Sequence, residues 1–244
     1  MYISIQNKII VLLIVFTLLP FVILKIIAFP KVEADVEKLQ IRHLSSAGHK
    51  QAVLVSNWMR ERMTDVLVVA DNPYMINSVN LTPRDTEYSE ELRYLELIVV
   101  EYGYMGAFVC NAKGVVTIAT INENVGRDLS NKDYIKNALQ GKTYASSIVP
   151  SEVHLVNEFD ENEIGVPTMF VSTPLKNKED DIIGVVVLRV HAGTLSNMMN
   201  SLKFGKTGES YLVNEEGYMI SESRFTDRLK ENGLVKKRCS LELK

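Results

Sequence analysis

The sequence predicts an α+β protein held by an N-terminal transmembrane helix. Three observations carry this reading. Ile9 to Phe29 is an apolar run charged only at Lys25. Val32 to about Ala70 contains no Pro and a single Gly, Gly48, with apolar residues recurring at helical spacing. Beyond Tyr104 that spacing gives way to short apolar segments punctuated by Asn, Gly and Pro, the pattern of strands joined by turns.

The apolar run comes first. Its 21 residues, at about 1.5 Å each, span roughly 31 Å as a helix, enough to cross a bilayer. Lys25 near the outer end can snorkel to the interface, and Pro20 is tolerated inside a membrane span. A cleaved signal peptide is the competing reading, with Lys8 as its basic start and Val32-Glu33-Ala34 as a cleavage site. The run exceeds the usual apolar region of about 7–15 residues, which favours an uncleaved anchor. Lys8 precedes the span, and Lys31 is followed by Glu33, Asp35 and Glu37. This bias favours a cytoplasmic N-terminus (1–8), a span at 9–29 and an extracytoplasmic bulk, in a cell (inner) membrane.

A stalk helix is expected over 31–72, with Val55, Met59, Val66 and Val69 on one stripe and Arg62 interrupting it; Asp71-Asn72-Pro73 stops it. A second helix is expected over Asp85–Glu101, with Thr82-Pro83 at its start. Strands follow at Tyr104–Cys110 and Val115–Thr120 around the turn Asn111-Ala112-Lys113-Gly114. A short helix over Lys132–Gln140 closes at Gly141. Thr143–Val149, Thr168–Leu175 and Ile182–Val190 are further strands, and the polar stretch Pro150–Gly165 reads as an exposed loop. Ala192–Leu202 reads as a helix, and Glu209–Asn214 with Tyr218–Ser221 as a hairpin.

A pattern repeats. Phe108 to Gly114 and Tyr211 to Gly217 both read aromatic, apolar, apolar, Asn, two polar residues, Gly. This predicts two successive sheet modules, a membrane-distal one over 73–195 and the truncated start of a membrane-proximal one over 196–244, too small to bury its own core.

Net charge is −3 without an internal basic block, which argues against nucleic acid as a partner. Cys110 and Cys239 show no CxxC spacing, and His43, His49, His154 and His191 form no ligand pair. The Asp160–Glu163 cluster lacks the glycine and ligand spacing of a calcium loop. Gly205-Lys206-Thr207 lacks the earlier glycine of a phosphate loop, where Asn200 stands. No nucleophile elbow occurs. No metal, cofactor or catalytic residue is therefore expected.

Several stretches resemble double Cache domains, the tandem PAS-like sensors on the outer side of bacterial receptors. They are Asp128-Leu129-Ser130-Asn131-Lys132-Asp133-Tyr134 with Gly141-Lys142, Val166–Leu175, Ile183–Leu188, and most specifically Phe204-Gly205-Lys206-Thr207-Gly208-Glu209-Ser210-Tyr211-Leu212-Val213-Asn214. The resemblance covers Val32 to the C-terminus. It implies a second membrane span and a cytoplasmic output module outside this sequence: a histidine kinase, a chemotaxis signalling rod or a cyclic-dinucleotide enzyme.

The expected ligand-binding residues are Lys132, Asp133, Tyr134, Tyr144, Ser146, Phe170, Ser172 and Arg189. Lys132, Asp133 and Tyr134 open a short helix, where a cation, a phenol and free backbone N–H groups can hold a carboxylate. Strand alternation puts Phe170 and Ser172 on the face opposite Met169, Val171 and Leu175, with Tyr144 and Ser146 in phase on the next strand. The apolar face should lie on the stalk helix. In amino-acid-binding members of the resembled family an Arg stands at the Lys132 position, Trp-Tyr at Tyr134-Ile135, and an Asp at Arg189. Arg189 inverts the last charge, so the resemblance points toward a carboxylate or other anion rather than an amino acid.

The expected function is extracytoplasmic small-molecule sensing by a membrane-bound signal-transduction receptor, without enzymatic activity over this span. The stalk helix should pair in a homodimer. The alternatives are a ligand-free dimerisation or adhesion stalk, and the N-terminal fragment of a sensor histidine kinase or cyclic-dinucleotide enzyme.

Overall fold

The computed structural model describes residues 5–157, 161–201, 206–215, 217 and 219–234. Phe204, Gly205, Tyr218 and Cys239, and Asp160 of the acidic cluster, lie outside the described residues. The chain divides into two units, residues 1–50 and 51–244.

The first unit is helical. Helix α1 (Ile5–Ile23) has no buried residue, and with the helical residues after it is long and apolar enough to cross a membrane. It begins earlier than the expected Ile9 and passes into one π-turn at Leu24–Ala28. Pro20 lies one turn upstream and brings no backbone N–H, which favours such a local widening. Helix α2 (Phe29–Ala70) follows, two residues ahead of the expected start and two short of the expected end.

The second unit takes the last part of α2 and the sheet. Asn72 ends the long helix and caps α3 (Pro73–Ser78): its side chain accepts from the Tyr74 N–H at 2.9 Å. Helix α4 covers Tyr88–Tyr102 rather than starting at Asp85. The Asp85 carboxylate instead accepts from the Thr82 N–H at 2.6 Å and hydroxyl at 2.9 Å, which closes a turn before the helix. Gly103, at φ 68°, supplies the left-handed stop.

Strands β1 (Gly106–Asn111) and β2 (Val116–Ala119) form the expected hairpin. Asn111 Oδ1 accepts from the N–H groups of Lys113 and Val115, and Gly114 N–H returns to the Asn111 carbonyl at 2.9 Å. Gly114 sits at φ 81°, and a Cβ there would lie 2.7 Å from Ser130 Cα, so both conformation and space require glycine. The second copy of the pattern makes the same turn, Gly217 N–H to Asn214 carbonyl at 3.0 Å, but among the described residues its flanks form a single isolated bridge, between Val213 and Met219. The short helix α5 is Asp133–Leu139.

The expected strand over Thr143–Val149 is instead two short ones, β3 (Tyr144–Ala145) and β4 (Val149–Pro150). Ser146 parts them: its hydroxyl takes the Phe170 N–H at 2.9 Å, replacing a ladder carbonyl. The expected exposed loop over Pro150–Gly165 is also corrected. It contains the pair β5 (Leu155–Val156) and β6 (Asn162–Glu163), and Val153 and Leu155 bury against Val166. Composition misleads there because two apolar side chains suffice to anchor a polar segment. Strands β7 (Pro167–Lys176) and β8 (Ile182–His191) form the long hairpin, and helices α6 (Gly193–Asn200) and α7 (Thr226–Glu231) complete the described elements.

The main sheet runs β2-β1-β8-β7-β3, wholly antiparallel, with β4 also on β7. One face carries Met169, Val171, Leu175, Val186 and Leu188, packed in a single core with Trp58, Val66 and Val69 of α2 and Leu95 of α4. Arg62, which breaks the apolar stripe, lies 5.8 Å from the Trp58 ring and 5.4 Å from the Tyr104 ring, beside Asp65 at 3.2 Å. The opposite face packs Phe108, Cys110, Phe170, Val185 and Val187 against Tyr134, Ile135 and Ala138 of α5. This second face carries the candidate site.

Candidate functional site

Across the β7–β8 ladder Phe170 stands directly opposite Arg189, and directly opposed residues project to the same face. On the other flank Arg189 pairs with Gly106 of β1, which adds no side chain there. The result is a guanidinium lodged in an aromatic corner. Its carbon lies 4.8 Å from the Phe170 ring centroid. Phe170 is stacked on Tyr134 at 4.4 Å and 18°, and meets Phe108 edge-on at 6.3 Å.

Arg189 is 4 % exposed, and its Nε and Nη1 have no hydrogen-bond partner. Burial pulls its pKa down to about 10; the neighbouring Tyr134 and Glu152 favour the charge, and Arg127 opposes it. At neutral pH the group is still a cation. Two buried donors on a cation can take up charge-assisted hydrogen bonds from an anion. The Tyr134 hydroxyl is pushed well above the ordinary phenol range by burial and stays protonated.

The remaining expected residues fall into distinct places. Lys132 is the N-cap residue of α5, and its ammonium binds Glu152 Oε1 at 2.5 Å. Asp133 is exposed in the first turn of the helix. The Ser172 hydroxyl is buried and donates to the Tyr134 carbonyl at 2.7 Å, tying α5 to β7. Tyr144 is half-buried on β3 opposite Ser172. The Ser146 hydroxyl donates to the Ser147 carbonyl at 2.7 Å while it holds the Phe170 N–H. The structure thus groups Tyr134, Phe170 and Arg189, and commits both serine hydroxyls to the backbone.

Two residues escaped the sequence reading. Glu152 accepts from Arg127 Nη2 at 2.7 Å as well as from Lys132, and the two cations hold its carboxyl below the ordinary range, the Lys132 hydrogen bond most strongly. Partners 25 and 20 residues apart, in segments of no fixed period, leave no pattern in sequence. Among the described residues no cluster of three or more His, Cys, Asp or Glu is arranged to hold a metal.

The comparisons with known proteins agree with this architecture. No curated protein matches the chain in sequence. The sensory domain of the Campylobacter jejuni chemoreceptor Tlp3 (CcmL) superposes with a TM-score of 0.56 at 13% identity, over 80% of this chain and 76% of that one. The ligand-binding domain of the Pseudomonas aeruginosa PAO1 amino acid chemoreceptor PctC, solved with GABA, gives 0.54 at 20% identity, over 81% and 79%. Against the sensor domain of the V. cholerae histidine kinase DctB the TM-score is 0.48 at 12% identity; 65% of this chain is covered, and the chain spans 60% of that one. The Cache domain family matches residues 32–242, nearly the whole sequence, and the chain belongs to that family.

Proposed function

We propose that this chain is the extracytoplasmic, ligand-sensing region of a membrane-bound signal-transduction receptor, and that its ligand is a small anion held at Arg189. Arg189 carries the reading. Leaving a buried cation without a partner costs several kcal/mol, and an incoming carboxylate or other anion would offset much of that through charge-assisted hydrogen bonds. Membership of the Cache family supports a sensing role, and the PctC domain's complex with GABA supports a small molecule as the class of ligand. The apolar N-terminal helix supports a membrane anchor.

Tyr134 and Phe170 would form the apolar wall behind the anion. Lys132 is a weaker partner than Arg189, because Glu152 already takes its ammonium. Tyr144 pairs with Ser172 beside the site, Ser146 and Ser172 would hold its frame, and Asp133 is exposed in the first turn of α5.

The test is a thermal-shift screen of the full chain in nanodiscs against carboxylates, phosphates, amines and sugars. A ligand at 100 times its Kd should stabilise by about 2.7 kcal/mol. Stabilisation by anions, lost in Arg189→Met, is the expected result. Stabilisation by amines or sugars alone, or by nothing in the screen, would reject the anion reading.

A further inference from the structure

Beside the aromatic corner stands the carboxylate of Glu152, which acts electrostatically on both Arg189 and Tyr134. Glu152 Oε1 accepts from Lys132 at 2.5 Å and Oε2 from Arg127 at 2.7 Å, so each oxygen serves one cation. Its backbone is fixed from both sides. Ser151 and Val153 are buried. Ser151 Oγ accepts from the Gly165 and Val166 N–H groups, and the Ser151 N–H donates to the Val166 carbonyl at 2.9 Å. The carboxylate is therefore tethered beside the two cations at high effective concentration, and a dissolved anion has to compete with it.

The cluster adjoins the candidate site. Lys132 is the N-cap residue of the helix whose Tyr134 stacks on Phe170, and the Arg189 guanidinium lies 4.8 Å from that Phe170 ring. Of the three cations, Arg127 and Lys132 share the hydrogen bonds and the single negative charge of Glu152, and only Arg189 retains idle buried donors. A ligand with one negative charge finds the idle donors of Arg189. The second carboxylate of a dianion has to displace Glu152 from Lys132 or Arg127 before it gains a comparable partner.

We propose that Glu152 sets the charge of the accepted ligand: by occupying Arg127 and Lys132 it leaves Arg189 to pair a single anionic group and competes with the second carboxylate of a dianion. This rests on the reading of Arg189 as the anion partner.

Pentanoate and glutarate, which share a carbon chain length and differ by one carboxylate, are suitable probes. Both are titrated by calorimetry into the full chain in nanodiscs, as wild type, Glu152→Gln, Glu152→Asp and Arg189→Met. Wild type should bind pentanoate more tightly than glutarate. Glu152→Gln should tighten glutarate by about ten-fold and leave pentanoate within about two-fold, as expected when the second carboxylate forms one new charge-assisted hydrogen bond. Glu152→Asp keeps the charge and should keep the preference. Arg189→Met should abolish binding of both acids. If Arg189→Met does so while the preference is the same in wild type and Glu152→Gln, or if glutarate already binds wild type as tightly as pentanoate, the role of Glu152 is overturned and the anion reading stands. If neither acid binds any form, the role of Glu152 is overturned; if Arg189→Met binds both unchanged, the anion reading falls and the role of Glu152 falls with it.

Discussion

The Arg189 guanidinium lies 4.8 Å from the ring centroid of Phe170, its direct partner across the β7–β8 ladder. A desolvated cation–π contact of this kind contributes about 2 kcal/mol. It compensates only part of the cost of burying the charge, because two guanidinium nitrogens stay unpaired. The pair is therefore held at a net cost in stability.

Replacing Arg189 by Met should separate stability from binding. The side chain is similar in length and needs no partner, so the unliganded protein should gain on the order of 1–4 kcal/mol. The stabilisation by anions should vanish in the same variant. Urea unfolding with and without a responding anion measures both, and a less stable Arg189→Met protein would show that the guanidinium is satisfied in solution.

Ser172→Ala tests the tie between α5 and β7. The hydroxyl is fully buried and donates to the Tyr134 carbonyl at 2.7 Å. Its loss should cost about 1–2 kcal/mol in chemical unfolding. Because Tyr134 stacks on Phe170, anion affinity should also weaken. An unfolding midpoint equal to wild type would mean that the carbonyl finds another donor.

Glu152 predicts a feature of the acid limb. Its folded pKa is depressed by Lys132 and Arg127. The carboxylate thus contributes stability that is complete above its unfolded pKa and is lost as pH falls through the lower folded value. The side chain is 53% exposed, so solvent screening limits the effect to within about 1 kcal/mol. Melting temperatures between pH 7 and pH 3 should fall more steeply for wild type than for Glu152→Gln, and the curves should converge at the acid end. Parallel curves would exclude the contribution.

Cys110 should be inert to alkylation in the native state. It is fully buried on β1, and burial, with a smaller effect from Asp128, raises its thiol to about 12. Only the thiolate is nucleophilic. Peptide mapping after iodoacetamide treatment at neutral pH should find Cys110 unmodified until denaturant is added; rapid native labelling would place it in an opening segment.

The apolar run, the long helix, the Asn-x-x-Gly turns and the long hairpin strands are legible in sequence because each depends on local chemistry: a helical or alternating period, a capping Asn72, a glycine at positive φ. The strand phase is legible for the same reason, since Phe170 and Ser172 must face opposite to Met169 and Val171. The tertiary structure alone decided what those side chains do. Ser146 and Ser172 look like ligand donors in sequence, yet they spend their hydroxyls on backbone brought close by the fold. Lys132 looks like the main cation until Glu152, 20 residues away, takes its charge. Arg189 reads as a sign inversion on a strand, and only the pairing of β8 with Phe170 on one side and Gly106 on the other makes it a buried cation with idle donors. Periodicity assigns a residue to a face, but burial and pairing of charge depend on neighbours distant in sequence, and those are set by how the sheet is assembled.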